Sequence, residues 1–291
     1  MDDGLARVLA RQVERAPSDP VDAATVARWC AVFGDDWATD AVVPAVMYPT
    51  FVRPSSPPST EVPATGVVLH DELKQVLGLP IAIAVGYELD LVGAVGMGDR
   101  LVAIERVASV AEPRTSTLGV GRDWVIEVTT TTTTGAPVGI ERFRMFGYRT
   151  EGASMPSDAT SSPPTSAAAA FAAAEARADW TETLAVDAEL IVRAAAANHV
   201  WAPAHHRPAA ARAAGLADII LDTSSQVAFL AGAARRHRPA APLRSVELSM
   251  RRPILPGVEV VLAGIDDGAD TGVTATVGGV VVSRSVVRFA T

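Results

Sequence analysis

The sequence predicts an α+β protein built of two related domains in tandem. Three observations carry this. Each half runs from helical periodicity into stretches rich in β-branched and aromatic residues bounded by turn signals. The halves also keep ungapped register with each other. Tyr87-Glu88-Leu89-Asp90-Leu91 matches Val246-Glu247-Leu248-Ser249-Met250, and Gly98-Asp99-Arg100-Leu101-Val102 matches Gly257-Val258-Glu259-Val260-Val261, both 159 residues apart (98 to 257). Between the halves, from Glu151 to Ala178, the chain turns to Ser, Pro and Ala with few large apolar residues, which is linker chemistry. The expected division is a domain at 1–150, a flexible linker at 151–178 and a second domain at 179–291.

Taken in order, Leu5, Val8, Leu9 and Val13 share one face of a helix expected over 5–14, stopped by Pro17 and Pro20. Asp22 is placed to cap a second helix over 23–33, and Gly34-Asp35-Asp36 ends it. The Pro- and Ser-rich stretch from Pro54 to Pro63 is loop. Strands are expected over 87–92, 101–108, 123–131 and 139–148, the threonine run at 129–134 included because threonine favours strands. The second half is expected to run as a helix (187–197), a loop (198–207), a short helix (208–214), a long helix (224–236) and three or four strands ending at Phe289. The helices containing Arg28 and Arg193 match at an offset of 165. In the long helix Val227, Leu230, Ala231 and Ala234 form an apolar stripe, Arg235 and Arg236 suit the C-terminal dipole, and Pro239 follows the stop. Its small residues, such as Ala228, Ala231, Gly232 and Ala233, allow a sheet to wrap closely.

With 49% hydrophobic and 20% charged residues, a 291-residue chain has ample material for two cores. Acidic residues outnumber basic ones, 33 to 25, and the densest basic run is only Arg235, Arg236 and Arg238, so a nucleic-acid partner has little electrostatic support. The start, Met1-Asp2-Asp3-Gly4-Leu5, shows no basic region followed by an apolar run, and no apolar segment is long enough for a bilayer. The expected address is cytoplasmic, with no membrane partner. Cys30 is the one cysteine, which excludes an internal disulfide and a cysteine-based zinc site. Flanked by Val26, Trp29, Val32 and Phe33, it is expected in the core. No metal and no cofactor is implied.

Chemistry-bearing residues concentrate in the second half. His205-His206-Arg207-Pro208 opens a short helix ending at Gly215, followed by Asp218-Ile219-Ile220-Leu221-Asp222-Thr223. This resembles the hydratase signature of MaoC-like hot-dog proteins, the (R)-specific enoyl-thioester hydratases. Arg252-Pro253-Ile254-Leu255-Pro256-Gly257 is similar to the family's turn before a strand. In the first half, Leu69-His70-Asp71-Glu72-Leu73 through Leu77-Gly78-Leu79-Pro80, with Val95–Asp99, resembles the N-terminal dehydratase domain of the same family. The resemblance implies a tandem double hot dog, each half an antiparallel sheet wrapped on a central helix. It also implies an acyl thioester of coenzyme A or acyl carrier protein as ligand, bound near the junction of the halves, and water added to or removed from the Cα–Cβ bond.

Such chemistry needs a base for water, an acid for Cα and donors for an enolate-like oxygen. His205 matches the family histidine; the alternative is a surface histidine in a polar loop. The family aspartate falls at Val200, and valine can neither take a proton nor orient water. In the first half Asp35 holds the matching position, but no histidine follows it over 37–49. Asn198 and His199 lie near the lost aspartate, with Asn198 a candidate to orient water. Asp222 is a further candidate carboxylate whose plainer role is the N-cap of the long helix. The backbone N–H of Thr223 stands where the family's oxyanion glycine would, at the positive end of that helix. His206, Trp201 and Phe229 are candidates for substrate contact, with core or solvent-facing roles as alternatives. The first half is expected to lend an apolar wall and no base. The implied activity is a hydratase or dehydratase with an altered site. The alternatives are a repurposed hot-dog enzyme (isomerisation, elimination or cyclisation of a bulky polyketide-like substrate) and a non-catalytic acyl-binding subunit, a homodimer or a heteromer with another hot-dog chain.

Overall fold

A computed structural model describes residues 3–34, 43–55, 67–116, 118–149 and 177–290. The first half carries helices α1 (Asp3–Ala10), α2 (Ala23–Phe33), α3 (Tyr48–Phe51) and α4 (Val68–Leu77). Its strands are β1 (Gln12–Glu14), β2 (Ile81–Leu91), β3 (Leu101–Val110), β4 (Arg114–Ser116), β5 (Gly119–Thr132) and β6 (Pro137–Arg149). The second half carries β7 (Trp180–Val186), α5 (Ala188–Ala197), α6 (Pro208–Ala213), α7 (Thr223–His237), β8 (Leu243–Met250), β9 (Val258–Asp267), β10 (Asp270–Val277) and β11 (Val280–Phe289). Among the described residues, no helix is long and apolar enough to cross a membrane.

One antiparallel sheet spans both halves in the order β1-β3-β5-β6-β2-β8-β11-β10-β9-β7, with β4 paired to β5. The order reads alike from either end, so the halves are related by a pseudo-twofold axis. The pairing of β2 with β8 locates that axis: Glu88 faces Glu247, and these residues are equivalents at the 159-residue offset. The duplication recurs in detail. Asp22 caps α2 through the Thr25 amide and Asp187 caps α5 through the Leu190 amide, 165 residues on. Gly98 and Gly257 both take positive φ (86° and 82°), which glycine adopts without a Cβ penalty. Their amides bond to Val21 and Val186, again 165 residues apart.

Each half wraps its sheet around a central helix. In the second half α7 is buried along Val227, Leu230, Ala231 and Ala234, with Ala228, Gly232 and Ala233 also inside. Small side chains let the strands approach the helix closely, and burying each large apolar neighbour contributes about 1.5–3 kcal/mol. In the first half the central helix is α4, ten residues against fifteen in α7. The N-terminal region departs from expectation. The helix stops at Ala10, and Val13 lies instead in edge strand β1, paired to Glu105 of β3. A three-residue strand suffices to add an edge, and the sheet outweighs the helical spacing of Val13 with Leu9. Strand β7 was also not anticipated. Cys30 is buried, as expected. Most of the expected linker lies outside the described residues.

The start of α4 is closed from within. Glu105, fully buried on β3, accepts from the amides of Val68 (3.2 Å) and Leu69 and from Arg15 (3.2 Å). A carboxylate there satisfies orphan donors and the positive end of the helix dipole together. At the same offset the second half has Gly264, whose missing side chain leaves room for Trp180.

His70, on α4, is buried beside Trp124, with ring centroids 5.6 Å apart, and burial lowers its pKa from 6.5 to about 4. The unfolded chain therefore binds that proton more readily than the folded one. Its contribution is complete above about pH 6.5 and is lost as pH falls from there towards 4, by about 3 kcal/mol. Urea unfolding across this window should show His70→Phe losing less stability on acidification than the parent; equal losses would mean His70 is not responsible.

Candidate functional site

The loop between α5 and α6 and the first turn of α7 carry the candidate chemistry. His205 ends a short 3-10 turn, Pro203–His205. Its Nδ1 lies 2.8 Å from the carbonyl of Ile220, and the Ile220 amide bonds back to Ala204. A carbonyl can only accept, so Nδ1 carries the proton and Nε2 is left with its lone pair. That is the tautomer a general base requires. The half-buried ring is thus held by the segment leading into α7.

Asp222, 2% exposed, is the N-cap of α7. One carboxylate oxygen accepts from the Ser225 amide (3.0 Å), the other from the Ser225 hydroxyl. Asn198, equally buried, extends this into a relay. Its Nδ2 donates to Ser225 Oγ (3.1 Å) and its Oδ1 accepts from Trp29 Nε1 of α2 (2.8 Å). Asn198 thus ties α7 to α2 across the halves, whereas Asp222 bonds within the first turn of α7. The amides of Thr223 and Ser224, in contrast, have no acceptor among the described residues, and the Thr223 hydroxyl points to Met250 Sδ (3.7 Å).

The remaining candidates form a stacked group against the first half. Trp201 lies between His199 and His206, with ring centroids 6.2 and 5.7 Å away. Its indole N–H donates to the Pro54 carbonyl (2.7 Å), and His206 Nε2 donates to the Val200 carbonyl. His199 has positive φ (52°) where the first half has Gly34, and its Nδ1 lies 3.0 Å from the Thr50 carbonyl. Burial first, then the nearby Arg53 and Arg28 cations, lower the pKa of His199 against that hydrogen bond. Phe229 packs on Phe33 of α2 (4.9 Å) and lines a small cavity under α7. Asp35, the carboxylate expected in the first half, lies outside the described residues.

Arg53 is the residue that sequence reasoning missed. Its side chain is 7% exposed and spans the junction. It donates to the Asn198 carbonyl (3.2 Å), the Ser224 hydroxyl (3.0 Å) and Glu141 Oε1 (3.0 Å), and Glu141 also accepts from the Tyr87 hydroxyl (2.6 Å). Burial first, then the charge of Glu141, push the Tyr48 and Tyr87 hydroxyls well above their ordinary pKa. The first half therefore lends a buried cation at the start of α7, where only an apolar wall was expected. The one available signal was Glu141, a charge at an inward position of β6 that demands a partner.

Two cavities occur among the described residues, neither lined by His205, Asp222 or Thr223. One, about 10 Å3, sits between α7 and the second half's strands; the other, about 340 Å3, is a groove on the first half lined by Leu77, Leu79, Val120 and Arg149 among others.

No family model matches the sequence, and no curated protein matches it. Solved structures do. HtdX of Mycobacterium tuberculosis is 16% identical over 96% of this chain and 100% of its own, with a TM-score of 0.62. A MaoC-like dehydratase from Phytophthora capsici is 11% identical over 98% of each chain, with a TM-score of 0.68. A conserved hypothetical protein of Mycobacterium tuberculosis, described as a double hotdog fold, is 13% identical over 96% of each chain, with a TM-score of 0.53. These likenesses show the fold: this chain is a double hot dog.

Proposed function

We propose that the chain is a hydratase or dehydratase of MaoC type acting on an acyl thioester of coenzyme A or acyl carrier protein. The observation that supports it is the tautomer of His205, whose Nε2 is kept as a base by the Ile220 carbonyl. In hydration His205 Nε2 takes a proton from water as the oxygen bonds to Cβ. The electron pair moves onto the thioester carbonyl, where the Thr223 and Ser224 amides donate hydrogen bonds to the developing charge, and the protonated His205 then returns its proton to Cα as the carbonyl reforms. Dehydration runs the same steps in reverse. Val200 leaves this site without the second acid–base group.

That valine favours a second reading, a hot-dog enzyme turned to isomerisation, elimination or cyclisation of a bulkier substrate. Partners, a homodimer or a heteromer with another hot-dog chain, belong to either reading. The two separate on one variant assayed with crotonyl-CoA by loss of the conjugated enoyl absorbance. In an altered hydratase Val200→Asp should raise the hydration rate, by about tenfold or more. No gain, with the fold intact, would move the second reading to first place, because a new charge in a site shaped for an apolar group is costly.

A further inference from the structure

The first turn of α7 carries three hydroxyl side chains, and two of them have committed their protons. Thr223 turns its hydroxyl to Met250 Sδ (3.7 Å), and Ser225 gives its proton to the Asp222 carboxylate. Ser224 differs. Its Oγ accepts from Arg53 Nη1 (3.0 Å), and among the described residues nothing accepts the proton it carries. In a helix the Cα–Cβ bond tilts towards the N-terminus, so this half-buried hydroxyl sits at the same end as the open amides of Thr223 and Ser224.

Arg53 sets the hydroxyl's orientation and its strength. A guanidinium only donates, so Ser224 Oγ presents a lone pair to it and turns its O–H elsewhere. Accepting from a cation polarises a hydroxyl and strengthens its own donation. The Arg53 side chain is 7% exposed, so solvent screens its field weakly, and the Asn198 carbonyl (3.2 Å) shares Nη1 and holds it in place. The counter-ion lies on the other nitrogen: Nη2 meets Glu141 Oε1 (3.0 Å), which also accepts from the Tyr87 hydroxyl. The ion pair therefore presents its positive end to the start of α7, where the helix dipole is already positive.

Resting on the proposed thioester function, we propose that Ser224 is a catalytic residue whose hydroxyl is the third donor to the enolate-like oxygen, beside the Thr223 and Ser224 amides. Arg53 is a positioning residue that aims and polarises that hydroxyl. Ser224 keeps its proton throughout, so it stabilises the charge on the oxygen and leaves proton transfer to His205. The first half thus acts on the reacting oxygen through one hydrogen bond without touching the substrate.

Acetoacetyl-CoA tests this without turnover, because its enolate has an ultraviolet band that its keto form lacks and carries charge on the thioester oxygen. Bound to the full chain at fixed pH, it should show a larger enolate fraction than free in solution. Ser224→Ala should lower the bound enolate-to-keto ratio by about tenfold or more, and Ser224→Thr should restore most of it. Affinity for crotonyl-CoA, which bears no such charge, should change less than about twofold in Ser224→Ala. Arg53→Met combined with Glu141→Gln removes both charges together and should also lower the ratio although Ser224 remains, with urea unfolding showing that each variant is folded. An unchanged ratio in Ser224→Ala would overturn the inference and leave the thioester function standing on the amides alone. A ratio lowered in Ser224→Ala but unchanged in the double variant would overturn the role given to Arg53. Acetoacetyl-CoA bound to the parent with no enrichment of enolate would also overturn the inference. If no thioester binds, the proposed function fails and the inference with it.

Discussion

Replacing Arg53 with methionine is expected to destabilise the protein by about 3–5 kcal/mol, the cost of leaving a buried charge without its partner. Both side chains of the Arg53–Glu141 pair are almost wholly buried (7% and 1% exposed), so solvent screening does little to soften the loss. The methionine retains apolar volume, but Glu141 keeps its charge with only the Tyr87 hydroxyl to meet it, and the Asn198 carbonyl and Ser224 hydroxyl each lose a donor. Adding Glu141→Gln should recover much of the loss, because a neutral amide removes the stranded charge while its oxygen still accepts from Tyr87. Urea unfolding of the parent, the two single variants and the double variant reads the coupling directly. A single-variant cost below about 1 kcal/mol, typical of a solvated pair, would show that the pair adds little to the fold.

The second large effect is on rate. His205→Ala is expected to lower thioester turnover by about 10²–10⁴-fold, the usual contribution of a general acid–base group. The loss should fall on kcat, since the imidazole acts on water and a substrate carbon and carries little of the thioester's binding. The urea midpoint should shift far less than in the Arg53 variant: the ring is half-buried and its one hydrogen bond is to a carbonyl. Undiminished turnover in His205→Ala would remove the catalytic assignment and put the acid–base group elsewhere, whereas thioester binding without turnover in the parent would leave an acyl-binding subunit as the better description.

Much of the fold was legible because duplication writes it twice. Tyr87–Leu91 and Val246–Met250 were matched by spacing alone, and the structure places those stretches on β2 and β8, meeting at Glu88 and Glu247. Local signals with a single physical cause also read correctly, as with the capping aspartates Asp22 and Asp222. Val13 misled because one strand pairing outweighs a helical spacing. The site was legible only in part. His205 was singled out by its motif, whereas its tautomer depends on the Ile220 carbonyl fifteen residues away. Asn198, a candidate to orient water, accepts from Trp29, 169 residues distant in sequence, a contact that no local pattern announces. Arg53 sits in a Pro-flanked loop whose partners lie 88 to 171 residues away, and spacing cannot show such a contact.

The buried carboxylate of Glu105 bears on symmetry. A duplicated protein begins with two copies of everything, including two central helices whose starts attract negative charge. Here the start of α4 is met by the Glu105 carboxylate from a neighbouring strand, while that of α7 has only its own cap, Asp222, and keeps two amides open. The two helix starts are therefore not equivalent in charge, although the fold repeats them. At the matching place in the other half stands Gly264, which has no side chain to bring a carboxylate to α7 and whose space is filled by Trp180.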